Sequence, residues 1–156
     1  MKLFRHYILH IILLMISAIS FTSCVTNNGD IGDLYGAWAL DKITIDGIEQ
    51  TSWHDGGWYC EWRFQNNIIQ IHRFNTLHDY SHSTGTFTHE GKTLDVNFTH
   101  SDDDNPAGTG PYNAPTWIYF SPGSTTFNID RLSSSDMVLT TANNQNQIIT
   151  YYLSKR

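Results

Sequence analysis

Trp58-Tyr59-Cys60-Glu61-Trp62-Arg63-Phe64-Gln65, then Asn66-Asn67, then Ile68-Ile69-Gln70-Ile71-His72-Arg73-Phe74: on both sides of a pair of turn-forming asparagines, side chains alternate with period two. Trp58, Cys60, Trp62 and Phe64 fall on one side of the first run, and Tyr59, Glu61, Arg63 and Gln65 on the other, as in a half-buried strand. With Asn66 and Asn67 as the loop, Phe64 opposes Ile69 and Trp62 opposes Ile71 inside, while Glu61 opposes His72 outside. The stretch is a hairpin with one apolar face.

Neighbouring segments read the same way. Residues 35–46 carry Ile43 and Ile45 in alternation and end on Asp46-Gly47, a turn signal. A second hairpin is expected with Glu90-Gly91 as its loop, which sets Phe87 opposite Leu94, Gly85 opposite Val96 and Ser83 opposite Phe98. Its outer face is hydroxyl-rich, and Gly85 marks a bend or bulge. Residues 124–131, 137–141 and 148–153 read as further strands, and residues 117–120, ended by Pro122-Gly123, as another. No convincing helical period occurs. Eight or nine strands in sequential hairpins fit an antiparallel sandwich or an up-and-down barrel, and closure is favoured because it removes exposed edges.

The chain has 156 residues, enough for one domain with short appendages. Nine basic residues against 15 acidic ones give a formal charge of −6, which leaves no basic footprint for nucleic acid. Charged residues are sparse at 15% and aromatics plentiful at 13%, a composition that packs a core instead of remaining disordered.

The first 24 residues carry a cellular address. Lys2 and Arg5 precede a largely apolar run over residues 7–21, and Phe21-Thr22-Ser23-Cys24 closes it, the layout of an export signal. As a helix the run rises only about 22 Å, short of the roughly 30 Å needed to span a bilayer core, and His10 interrupts it. The setting of Cys24 resembles the lipobox of bacterial lipoproteins, with Phe21 where Leu is usual. That resemblance implies a lipoprotein signal peptide over 1–23, an acylated Cys24 as membrane anchor, a flexible tether over 24–33 and a folded domain over 34–156. Multiple acyl chains anchor durably. Val25 is not the Asp that resembles an inner-membrane retention signal, so the outer membrane is expected, with the periplasmic and cell-surface leaflets both open. The other cysteine is Cys60, so an acylated Cys24 leaves no intramolecular disulfide to form.

Leu34-Tyr35-Gly36-Ala37-Trp38-Ala39-Leu40, entering the first strand directly after the tether, resembles the Gly-x-Trp opening of lipocalins and of lipocalin-like domains on small bacterial lipoproteins. The order lipobox, Asn/Gly/Asp linker, Gly-x-Trp, Trp-rich second strand and closing hairpin extends the resemblance over most of residues 24–156. It implies an all-β fold: an eight- or nine-stranded antiparallel up-and-down β-barrel. Gly36 would turn the chain into the sheet without a Cβ in the way, and Trp38 would plug the closed end. The family often packs a basic residue of the last strand on that Trp; here Arg156 is terminal and Lys155 is read with the other parity.

Eight strands enclose a lumen just wide enough to be filled by side chains or to hold one small ligand, and both remain open. Residues 101–115 form a long Asp-, Gly- and Pro-rich loop, of a length that is usually functional or disordered. Tyr112 within it and Trp117 after it are flat rings that could cover an apolar ligand, stack on a sugar or simply pack on the wall. Trp53 lies in the first connection, the lid of lipocalin-like barrels. Arg73 has the parity of Ile69 and Ile71, which aims it into the mouth toward an anionic head or lets it snorkel to the rim. Trp53, Arg73, Tyr112 and Trp117 are thus the expected ligand-binding residues, for a small apolar or amphipathic molecule.

Enzymatic constellations fall short. His78 and His82 would be about 13 Å apart on a strand, with no Cys set beside them, so no metal site is expected. Asp102-Asp103-Asp104 lacks the Gly and Glu of a calcium loop, and Cys60 has the buried parity at which a thiol is inert. The expectation is a monomeric binding protein, not an enzyme, without cofactor. Its rival is a filled-core module that contacts an envelope protein or a glycan through the acidic loop and exposed aromatics.

Overall fold

Nine strands follow in chain order: β1 (Gly36–Ile45), β2 (Ile48–Gln50), β3 (Trp58–Gln65), β4 (Ile68–Asn75), β5 (Tyr80–Glu90), β6 (Thr93–Asn97), β7 (Ser124–Leu132), β8 (Asp136–Ala142) and β9 (Ile148–Lys155). This computed structural model describes residues 32–156; the signal peptide, Cys24 and the tether as far as residue 31 lie outside the described residues. The pairings are antiparallel between chain neighbours, except that β1 pairs with β3 and also with β9. That last pairing closes β1 and β3–β9 into an eight-stranded barrel, with β2 as an extra strand at the end of β1. Asp46 and Gly47 both take positive φ, 50° and 81°, as a type I′ hairpin requires. They fold β2 back onto β1.

The β3–β4 register is the expected one: Phe64 faces Ile69, Trp62 faces Ile71 and Glu61 faces His72. The β5–β6 hairpin corrects the expectation by two residues, since Glu90 pairs with Thr93 and Phe87 with Val96. Gly91, at φ 59°, is the first loop residue, where a type II′ turn favours glycine. A slip of two leaves every side chain on its face. Gly85 makes room for the chain leaving β6: a Cβ there would approach the Asn97 carbonyl oxygen to 2.5 Å and Phe98 Cδ1 to 2.9 Å. Residues 117–120 are not a strand. Thr116–Ile118 forms a 3-10 turn that ends at Tyr119 with φ 70°, and Pro115 and Pro122 on either side offer no ladder donors.

The connection over residues 98–123 crosses the open end as a strap and drops Ile118 and Phe120 into the lumen, where both are buried. Phe120 lies 5.1 Å from Trp62, 5.1 Å from Phe127 and 5.8 Å from Tyr151, ring centre to ring centre. Those partners come from β3, β7 and β9. Tyr151 also donates its hydroxyl to the Ile118 carbonyl at 2.8 Å. At this level the barrel is filled, not hollow.

At the closed end, Gly36 has φ 109° and Trp38 is fully buried, its indole N–H donated to the Leu34 carbonyl at 2.7 Å. Lys155 corrects the parity expected for it. Ile149, Tyr151 and Leu153 are the buried positions of β9, so Lys155 continues their side of the strand. Its Nζ sits 4.3 Å above the Trp38 ring and donates to the carbonyls of Asp33, at 2.8 Å, and Tyr35.

Candidate functional site

The open end is formed where β3 begins, β4 ends and β5 begins, under the strap. Arg73 pairs in register with Cys60 on β3 and Ser81 on β5, and it shares the inward parity of Ile69 and Ile71. Trp58 is its diagonal neighbour on the same face of β3, within reach for long side chains. The Arg73 guanidinium carbon lies 4.2 Å from the centre of the Trp58 ring and 4.7 Å from that of Trp117. One cation is therefore held between two indoles. Its Nε is buried without a hydrogen-bond partner.

A recess of about 720 Å³ opens between the start of β5 and the strap. Ser81, His82 and Ser83 form one wall, and Phe98, Tyr112 and Trp117 contribute to the other side. β6 pairs with β5 only from Thr86 onward, so the first half of β5 has no strand on this side. Phe87 N–H donates to the Asn67 carbonyl at 2.9 Å. By antiparallel alternation, odd-numbered residues of β5 then spend their main-chain groups on β4, and His82 and Thr84 aim theirs toward the strap. The recess thus combines flat rings with main-chain and hydroxyl groups.

Tyr112 is fixed by its own loop. Its hydroxyl donates to Asp102 Oδ2 at 2.6 Å, and Asp102 Oδ1 accepts the Asn105 N–H at 2.7 Å. The Tyr112 hydrogen bond, helped by Asn105, holds the Asp102 carboxyl below its usual range, and the same bond raises the Tyr112 phenol. Asp102 is thus committed to shaping the strap.

Trp53 lies elsewhere. It is buried in the 3-10 turn Ser52–His54, edge-on to His54 at 4.7 Å, with its indole N–H unpartnered. It borders a second recess of about 460 Å³, shared with Trp58, Cys60 and Arg156. Of the four residues expected to bind ligand, Tyr112 and Trp117 meet in the larger recess and Trp53 borders the smaller. Arg73 stands between Trp117 and Trp58, which line one recess each. Sequence reasoning missed Trp58, which the β3–β4 register already placed diagonal to Arg73. It also missed the β5 wall, for which it had no signal.

Burial pushes the Cys60 thiol far up, which denies it a thiolate. On the outer face, Tyr80 Oη and His72 Nδ1 share a hydrogen bond at 2.7 Å. Burial, aided by Arg63 and His82, pushes the His72 imidazole down to about 4. Among the described residues no three His, Cys, Asp or Glu side chains converge as a metal site.

A barrel with a Gly-x-Trp closed end and a strapped mouth defines a class. The lipocalin-like domain family matches residues 19–151, and the chain belongs to that family. Two crystal structures share the fold: a lipocalin-like protein from Bacteroides uniformis and an uncharacterized protein from Bacteroides eggerthii. Each aligns with a TM-score of 0.53 at 16% identity over 80% of this chain and 100% of its own. At that identity the likeness concerns the fold alone. No curated protein matches this chain.

Proposed function

We propose that this protein is a monomeric lipoprotein of the outer membrane, tethered through Cys24, that binds a small amphipathic molecule non-covalently at the open end of its barrel. The carrying observation is the recess of about 720 Å³ faced by Phe98, Tyr112 and Trp117 on one side and by Ser81, His82 and Ser83 on the other. Small-molecule sites typically span about 300–1,000 Å³ and join apolar walls to a few polar groups. Ile118 and Phe120 occupy the lumen, which favours a ligand seated beneath the strap over one in the barrel centre. Lipocalin-like domains are typically binding proteins, which suits a site without an activated nucleophile.

Titrating an environment-sensitive fatty-acid probe while following Trp emission tests the reading. Saturable binding that Trp117→Ala and Tyr112→Ala together weaken at least about tenfold supports it, as expected when rings carry most of the contact. Binding unchanged in that double variant overturns it. For the tether, a clickable fatty acid should label the full chain in cells and fail to label Cys24→Ala; equal labelling of both overturns the anchor.

A second reading has one observation in its favour. Tyr59, Phe74 and Tyr80 form an outward row across β3, β4 and β5, with Tyr59 49% and Tyr80 57% exposed. Such a row suits contact with an envelope protein or a glycan. A flat probe titration, together with no ligand in native mass spectra of protein purified from cells, would favour it.

A further inference from the structure

We propose that Arg73 is the polar anchor of the open-end site and that its ligand carries an anionic head, a carboxylate or a phosphate monoester, on an apolar chain. The inference rests on the binding reading above and narrows it to a ligand class.

Parity and register aim the side chain inward, with Cys60 and Ser81 as its cross-strand partners. The thiol is neutral, so neither partner compensates the charge. The guanidinium carbon lies over the rings of Trp58 and Trp117, contacts that spend none of its N–H groups on an oxygen or nitrogen acceptor. The donors of a guanidinium lie in its plane, around the edge. That edge donates to nothing: Arg73 makes no hydrogen bond and no ion pair with any described residue, and Nε is buried and unpartnered. The ion pair among the described residues is Arg63 with Glu61, on the outer face.

A half-buried cation with a pre-positioned, unspent fork matches a planar carboxylate or a phosphate, which accept two parallel N–H bonds. An alcohol or amide head would leave the charge uncompensated. Trp117 supplies the route for the rest of the molecule, since it touches Arg73 and also lines the larger recess. A chain laid along that ring from the guanidinium leads under the strap.

The test compares heads on one chain. The protein from residue 24 onward, whose barrel closes on itself through β1 and β9, is titrated by calorimetry with octanoate, octyl phosphate and octanol. Octanoate or octyl phosphate should bind at least roughly tenfold tighter than octanol, in keeping with a charge-assisted hydrogen-bonded pair. The tighter of the two tells a fatty-acid-like ligand from a phosphorylated one. Arg73→Gln should collapse the ratio of anion to octanol affinity toward one, and Arg73→Lys, a charge without the fork, should give a ratio in between. The head-group ratio in the unaltered protein needs no variant, so a misfolded mutant does not blunt the test. Equal binding of all three probes, weakened by Trp117→Ala, overturns the anionic head and leaves the open-end site standing. Binding of none of them overturns both.

Discussion

Both ends of the barrel set a cation against tryptophan, and they use it in opposite ways. At the closed end Lys155 lies over Trp38 and spends its N–H groups on the Asp33 and Tyr35 carbonyls, while the indole spends its own on Leu34. The Lys155 ammonium and the Trp38 indole N–H thus both have partners. At the open end Arg73 lies against two indoles and makes no hydrogen bond with any described residue, and the indole N–H groups of Trp53, at the smaller recess, and of Trp62, in the lumen, are also buried without a partner. A satisfied cluster stabilises a fold, whereas an unsatisfied one holds hydrogen-bonding capacity that a ligand can complete.

The largest test of this contrast removes one indole from each end. Trp38→Ala should cost about 3–5 kcal/mol in chemical denaturation, as large core truncations do. Trp117→Ala, at a half-buried position, should cost no more than about 2 kcal/mol. Equal losses would erase the distinction between a structural and a binding tryptophan.

Acid should come next, acting on the sheet beside the open end. His72 is held neutral in the fold at about 4, against 6.5 for an ordinary imidazole. The unfolded chain therefore takes up the proton first. The contribution of His72 is fully present above about 6.5 and is lost as pH falls toward about 4. Thermal melts across that window should show Tm falling, and His72→Gln should flatten the slope.

The smallest effects separate the two cations. Lys155→Met should cost about 0.5–1.5 kcal/mol, since it deprives two carbonyls of their donor. Arg73→Met should change stability by less than about 0.5 kcal/mol or raise it, because it deletes a buried donor that had no partner. A larger loss at Arg73 than at Lys155 would invert the comparison.

Much of this architecture can be read from residue order, and the gaps have physical causes. The β3–β4 register is legible because two full alternating runs flank a single two-residue turn. The β5–β6 register slipped because Glu90-Gly91 and Gly91-Lys92 both supply a glycine and both preserve parity. β2 is three residues long, too short to show a period. Arg73 and Trp58 meet by strand geometry, so their contact could be anticipated; Trp117 joins them from a 3-10 turn, whose side chains follow neither the strand nor the α-helical repeat. For the same reason Ile118 and Phe120 gave no sign that they complete the core. Trp53, expected in the lid over the mouth, is buried in the 3-10 turn Ser52–His54, because a short connection carrying an indole gains more from burial than from exposure.

The tie between Tyr151 and the Ile118 carbonyl has a consequence for how such a protein can change. Ile118 and Phe120 are tied into the barrel interior and answer to packing, so substitutions at these two endanger the fold. In residues 101–113 the buried ring is Tyr112, pinned by Asp102, and most of its neighbours are exposed. Diversification of ligand preference among relatives should therefore concentrate at the exposed positions of that first half of the strap and at Trp117, while Ile118 and Phe120 are inherited together with the interior they complete.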